Sequence, residues 1–431
     1  MELIVHRGTK QIGGSCVEVR SGSDRILLDL GLPLPSGDDD QIEAGQSVRD
    51  LLASGVLPPI DGVYDGSAPD ARGIIMSHVH QDHIGLAEYV HPDIPVYATE
   101  GTWALYDAMR PFVPQSGNIA TRRTLVKKEP VEFGELEVTA YPVDHSVPDA
   151  VALVVEADGK RILYSGDLRA HGRKAYLYEQ LINELAGTID LLLLEGTTAG
   201  RAGYEPVTEK SLETKLADLL EQQEHLSLII CSAQNLDRLV TIYRAVKRTG
   251  KTMVIDPYTA YTLHQLSCIS DSLPQWHWDQ VRVVPWGYQC QRLRDEGQSG
   301  FVKAIEAGRK LTGWCGMKKF KSDIVLLMRS NRKVADLESH LGEEIRNVQV
   351  IWSTWSGYWE DDGYVRPMCE RHGIQPIKLH TGGHASWSDL QRFIKGIRPG
   401  TVVPIHTEHA EHFAEQLSNV RLLDDGEVLA I

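Results

Sequence analysis

The segment SHVHQDHIG, from Ser77 to Gly85, constrains this chain more than any other stretch. It follows the apolar run GIIM directly and places four side chains able to bind a metal within six residues: His78, His80, Asp82 and His83. On a strand-to-helix turn, alternation sends His78 and His80 to the same side, while Asp82 and His83 open the next helix and face a second position. A single histidine is ordinarily a surface residue or a satisfied core residue. Four ionisable groups against a buried strand are another matter, because burying them without a metal would be costly. The fold must therefore bring further ligands to the end of that strand.

Three distant segments offer them, each just past an apolar run: His145 in VDHSVPDA, Asp167 in YSGDLR and His406 in PIHTE. Taken singly, each reads as a turn residue or a helix cap. Together they complete two sets, His78, His80 and His145 for one ion and Asp82, His83 and His406 for the other, with Asp167 as a bridging carboxylate. Water shared by two such ions is acidified toward hydroxide near neutral pH, and the ions stabilise charge developing on a phosphoryl or carbonyl oxygen. Nitrogen-rich sets favour zinc, and the carboxylate bridge also tolerates manganese. We expect two Zn2+, with Mn2+ as the substitute.

The rest of the chain fits a folded hydrolase. It has 431 residues, 42% of them hydrophobic and 24% charged, and no low-complexity stretch, so we expect order throughout. The N-terminus MELIVHRGTK lacks a charged leader before an apolar run, and no apolar run is long enough to cross a bilayer. The expected location is cytoplasmic, without a membrane partner. The six cysteines, Cys16, Cys231, Cys268, Cys290, Cys315 and Cys369, are scattered and read as reduced thiols. A net charge of -15 argues against non-specific coating of nucleic acid. Bound metal can nonetheless supply local positive charge. The basic clusters Arg122, Arg123, Lys127, Lys128 and Lys318, Lys319, Lys321 read first as solvated surface.

Short apolar or β-branched runs separated by glycine turns fill the first half (CVEVR, RILLDLG, VYAT, LEVTAYPV, VALVVEA, RILYSGD) and predict a sheet-rich domain. From about Ile189 apolar strands such as LSLIICSA, TMVIDP and VQVIWS alternate with amphipathic stretches such as SLETKLADLLEQ, which implies parallel βαβ units. No flexible linker separates the halves, so an inserted domain is expected.

HxHxDH followed by single later His, Asp and His ligands resembles the metallo-β-lactamase superfamily. The resemblance implies an α/β fold, an αββα sandwich with the dimetal site at one edge. The second half carries the acid Glu195 in LLLLEGTT, then a long α/β stretch, then His384 in KLHTGGHAS and His406 in PIHTE. That order is similar to the beta-CASP nucleases, and WSTWSGYWE and SAQNLDRL resemble ribonuclease J-like members. The domains expected are residues 1–195 and 399–431 for the sandwich and 196–398 for the parallel-sheet insert. By that likeness, Asp82 belongs to the catalytic centre, Glu195 would orient ligands from behind and His384 would meet the scissile phosphate or protonate the leaving oxygen. Ser232, Asn235, Arg238 and the loop His380, Thr381, Gly382, Gly383 would contact phosphate. The loop has Gly382 where ribonuclease J commonly has a serine, and Gln234 stands where a serine tends to precede the asparagine. Little sequence follows His406, and no counterpart of ribonuclease J's C-terminal domain is expected.

The resulting expectation is hydrolysis of single-stranded RNA, endonucleolytic or from the 5′ end, with a homodimer or a partner protein supplying a basic RNA channel. Trp352, Trp355 and Trp359 are candidates for stacking on bases, although tryptophan is more often core. A DNA-directed nuclease of the same branch is the alternative, as is a small-molecule hydrolase, which the HTGGHAS loop disfavours. An inactive binding subunit would have lost metal ligands, and this chain keeps seven candidates.

Overall fold

The structure is a computed structural model that describes residues 1–34, 46–64, 66, 68–113, 116–201, 203–308 and 321–431. The strands are β1 (Glu2–Arg7), β2 (Cys16–Ser21), β3 (Asp24–Leu28), β4 (Gly73–Ile75), β5 (Val96–Thr99), β6 (Arg122–Leu125), β7 (Pro130–Phe133), β8 (Leu136–Pro142), β9 (Val151–Ala157), β10 (Lys160–Tyr164), β11 (Leu191–Glu195), β12 (Ser227–Ile230), β13 (Thr252–Ile255), β14 (Val281–Val283), β15 (Ile324–Met328), β16 (Gln349–Trp352), β17 (Ile377–Lys378), β18 (Thr401–Ile405) and β19 (Val428–Ala430). They form two compact units. The first comprises Met1–Tyr106, Val113–Glu205 and Gly383–Ile431; the second comprises Asp107–Phe112 and Pro206–Gly382.

The first unit is the αββα sandwich. Its sheets have the orders β19-β1-β2-β3-β4-β5-β6 and β18-β11-β10-β9-β8-β7. Each is antiparallel at one side and parallel at the other, with β3, β4 and β5 parallel in one and β10, β11 and β18 parallel in the other. Tight turns set the antiparallel register. Asp158 and Gly159, both at positive φ, join β9 to β10 so that Lys160 pairs Ala157. Between the sheets lie Val5, Val19, Leu28, Val138, Leu153, Ile162, Leu193 and Val403, all buried. Each such side chain contributes about 1.5–3 kcal/mol by leaving water.

Helix Tyr176–Leu185 buries Leu177, Tyr178, Leu181 and Leu185, and helix Trp387–Ile397 buries Leu390, Phe393 and Ile397. The two approach closely at Gly396, where a Cβ would lie 2.5 Å from Ile182 Cγ2. Tyr178 and Phe393 rings are 5.4 Å apart. This packing is why Gly383–Ile397 falls in the first unit, whereas strand and helix alternation alone suggested that the insert ran to residue 398.

The second unit is built on a wholly parallel sheet, order β14-β13-β15-β12-β16-β17. Its strands are almost entirely apolar, as expected where both faces are covered. Leu228, Leu326 and Val350 pack with Leu337 and Met368 from flanking helices. Among the described residues no helix is long and apolar enough to cross a membrane.

Candidate metal centre

Every predicted ligand in the first unit follows the carboxyl end of a strand, where sheets of this kind hold ligands. His78 lies three residues past β4, His145 three past β8, Asp167 three past β10 and His406 one past β18. Asp82 and His83 sit on the short helix Gln81–Ile84, for which His80 is the N-terminal residue. The residue before β2 and those after β3 strap this helix: the amides of Ser15, Leu30 and Leu32 donate to the carbonyls of Asp82, His83 and Gln81 at 3.0, 2.8 and 2.9 Å. Gly31 is required there, since a Cβ would fall 1.8 Å from the Asp82 carbonyl oxygen.

Two groups result. In the first, His80 Nδ1 lies 3.0 Å from His78 Nε2 and 3.1 Å from His145 Nε2, and Asp167 Oδ2 lies 3.6 and 3.8 Å from those two Nε2 atoms. In the second, Asp82 Oδ2 lies 3.1 Å from His406 Nε2 and 4.0 Å from His83 Nε2, and His83 Nε2 is 3.3 Å from the same Asp167 Oδ2. A tetrahedral zinc ion with bonds near 2.0–2.1 Å separates its ligand atoms by about 3.4 Å, and both groups bracket that value. Among the described residues, His83 Nε2 and Asp167 Oδ1 are buried without a hydrogen-bond partner. The donor set therefore fits bound metal, with Asp167 reaching both groups.

The electrostatics fit as well. Burial holds His78 and His145 well below the usual imidazole range, with neighbouring histidines adding to the effect, and burial brings His80 to about 4. Neutral imidazole is the ligating form. Burial would raise Asp167, but His83, His406 and His384 hold it well below the usual carboxylate range. Burial would lower His83, yet Asp167 and Asp29 outweigh it and raise its pKa.

Sequence reasoning missed Asp29 and Thr197, which hold candidate ligands in place. Asp29, fully buried at φ 59°, accepts from His83 Nδ1 at 2.7 Å, Tyr164 Oη at 2.6 Å and both Oγ and N of Ser77 at 2.6 Å. The other ring nitrogens of His145 and His406 face the Gly383 carbonyl at 2.7 Å and Thr197 Oγ1 at 2.9 Å. An acid ending the apolar run RILLD was the one sequence signal for Asp29.

Glu195 and His384 also lie in this unit. His384 Nδ1 is 3.2 Å from both Glu195 oxygens and 3.8 Å from Asp167 Oδ2. Glu195 also accepts the amides of Leu168 and Thr197. Burial opposes protonation of His384, but Glu195 and Asp167 prevail and raise it to about 9.

The remaining candidates lie in the second unit, apart from Gly383. Ser232 and Asn235 follow β12. Ser232 Oγ accepts from Gln234 N, and Asn235 caps helix Leu236–Arg248 through Arg238 N at 3.0 Å. Arg238 requires a correction. Its guanidinium is buried, paired with Glu209 at 3.0 Å, and donates to Ser353 and to the carbonyls of Leu379 and Thr381. It clamps the strand ends internally instead of meeting phosphate. His380 Nδ1 lies 3.3 Å from the same guanidinium, Thr381 is buried and Gly382 continues the loop. Trp352 is core, Trp359 packs edge-on against it, and Trp355 is exposed.

Of the basic clusters, Lys127 pairs with Asp149, Lys128 pairs with Glu184, and Arg122 lies over Trp103 and Tyr106. Lys318 and Lys319 lie outside the described residues, as does Cys315; Cys16, Cys231, Cys290 and Cys369 are free thiols.

Fold and site together define a metal-dependent hydrolase. Residues 42–208 match the beta-lactamase superfamily domain, and residues 376–423, which include His384 and His406, match the Zn-dependent metallo-hydrolase RNA specificity domain. The chain is 24% identical over 422 residues to ribonuclease J of Mycobacterium tuberculosis, covering 93% of this chain and 67% of that protein. It is 21% identical over 450 residues to ribonuclease J2 of Bacillus subtilis, covering 100% and 75%. A solved structure of a protein of unknown function from Enterococcus faecalis V583 shares the fold, with a TM-score of 0.77, 21% identity and coverage of 100% and 99%. These matches make the chain similar to the metallo-β-lactamase superfamily and, within it, to the ribonuclease J-like proteins.

Proposed function

We propose that this protein is a metal-dependent ribonuclease that hydrolyses phosphodiester bonds of single-stranded RNA at a centre of two zinc ions, with manganese as a functional substitute. The observation that carries the reading is Asp167 Oδ2, which lies within 4 Å of His78, His83, His145 and His384 at once. His78, His80 and His145 would hold one ion, Asp82, His83 and His406 the other, and Asp167 both. Bound there, the ions would supply Lewis-acid activation of water and charge neutralisation on the phosphoryl oxygens.

His384 does the proton work. Glu195 engages its Nδ1, so Nε2–H is left to protonate the departing 3′-oxygen. The upstream product then keeps a 3′-hydroxyl and the downstream product a 5′-phosphate. His380, Thr381, Gly382, Ser232 and Asn235 remain candidates for holding the RNA backbone. With a net charge of -15 and Lys127 and Lys128 paired, we propose that a second copy or a partner protein supplies the basic channel.

The test offers the zinc- or manganese-loaded chain one RNA and the matching DNA, each with a 5′-hydroxyl or a 5′-monophosphate. RNA cleavage that stops on chelation is expected. Cleavage of DNA alone would move the assignment to a DNA-directed nuclease, and cleavage of neither would remove the nuclease reading.

A further inference from the structure

Gly383 was expected to serve phosphate, but its position points elsewhere. Its carbonyl accepts from His145 Nδ1 at 2.7 Å, and a Cβ on this residue would lie 2.6 Å from His145 Cε1 and 3.1 Å from Ser146 Oγ. The next residues are fixed equally firmly: His384 to Glu195, the Ala385 amide to the Leu168 carbonyl at 2.8 Å, and the Ala385 carbonyl to Thr198 Oγ1 at 2.6 Å. The segment is therefore held against the sandwich, and Gly383 cannot gain a side chain without pushing the His145 ring.

A parallel contact exists on the other side of the centre. Thr197, two residues beyond Glu195, places Oγ1 2.9 Å from His406 Nδ1. His406 has little freedom of its own, since its backbone is at φ 50° and its amide donates to the Gly8 carbonyl at 2.7 Å. The Gly383 carbonyl can only accept, which keeps the His145 proton on Nδ1 and leaves Nε2 unprotonated toward the ligand cluster; the Thr197 hydroxyl, whose own hydrogen can go to the His406 carbonyl at 3.4 Å, does the same for His406 when its oxygen accepts.

We propose that Gly383 and Thr197 are positioning residues, each governing one metal ion: Gly383 the ion of His78, His80 and His145, and Thr197 the ion of Asp82, His83 and His406. This rests on the two-ion reading of the site. It makes the two ions separately removable by substitutions that touch no ligand. It also joins the His384 segment to the first ion, since the residue next to His384 is the one that orients His145.

The test is zinc binding by the full-length chain, stripped and then titrated in competition with a chromogenic chelator, so no catalysis is read. The parent is expected to bind two ions. Gly383→Ala should weaken one of them about 10–100-fold and leave the other unchanged, the size usual for loss of a ligand-orienting partner. Gly363→Ala should match the parent, because a Cβ there meets nothing within 4 Å. Thr197→Val should weaken the other ion by a similar factor, Thr197→Ser should restore it, and the double variant should weaken both. Circular dichroism of the stripped proteins reports folding, and if Gly383→Ala does not fold, the Thr197 pair carries the test. Affinities within twofold of the parent for both ions in the folded variants, or equal weakening of both ions by each variant, would overturn the proposal. A parent that binds fewer than two ions would instead overturn the two-ion reading beneath it.

Discussion

Asp167→Ala is expected to reduce RNA hydrolysis by about three to four orders of magnitude, because in the proposed two-ion centre the several kcal/mol of transition-state stabilisation would depend on the shared ligand and each 1.4 kcal/mol is a factor of ten. The side chain is 2% exposed, and its Oδ2 is the atom common to both ligand groups. Removing it leaves the first group three imidazoles and the second two imidazoles and one carboxylate. Asp167→Asn keeps the shape and loses the charge, so it should fail nearly as badly. The measurement is kcat on a labelled RNA together with metal content per chain, with circular dichroism to show that the fold persists. Activity within tenfold of the parent would remove Asp167 from the centre.

His384→Ala should cost about 10²–10⁴ in kcat on RNA, the range for loss of a general acid. The loss has to depend on the leaving group. A 3′-alkoxide needs a proton as it departs, whereas p-nitrophenolate does not, so on a p-nitrophenyl phosphodiester the same variant should lose no more than about tenfold. Glu195→Gln should act in the same direction but less severely, because Glu195 acts on the proton transfer through its contact with His384 Nδ1. Equal losses on both substrates would assign His384 to binding and not to proton transfer.

The residues of the candidate metal centre were legible in the sequence because side chains able to bind metal are distinctive and stand at distinctive places, just past apolar runs. His78, His80, Asp82 and His83 are compressed into one turn, and His145, Asp167 and His406 each stand at a strand end. What surrounds them was not legible, since orientation depends on contacts between residues far apart in the chain. Asp29 reaches His83 across 54 residues, and Gly383 reaches His145 across 238. Backbone carbonyls carry no sequence signature at all.

Arg238 shows the converse error. An arginine in the first turn of a helix, beside Ser232 and Asn235, has the composition of a phosphate site, but Glu209, 29 residues earlier, turns it inward. The end of the inserted segment was also misplaced by pattern alone. Helix Trp387–Ile397 is amphipathic like its predecessors, and only its packing through Gly396 and Phe393 onto helix Tyr176–Leu185 assigns it to the sandwich.

The most direct test is the chemistry of the cut ends. RNA incubated with the metal-loaded chain in water enriched in ¹⁸O should give a 5′-phosphate carrying one solvent oxygen and a 3′-hydroxyl, and neither should form with Asp82→Ala. A 2′,3′-cyclic phosphate with a 5′-hydroxyl, or cleavage that survives in Asp82→Ala, would contradict metal-dependent hydrolysis at this site.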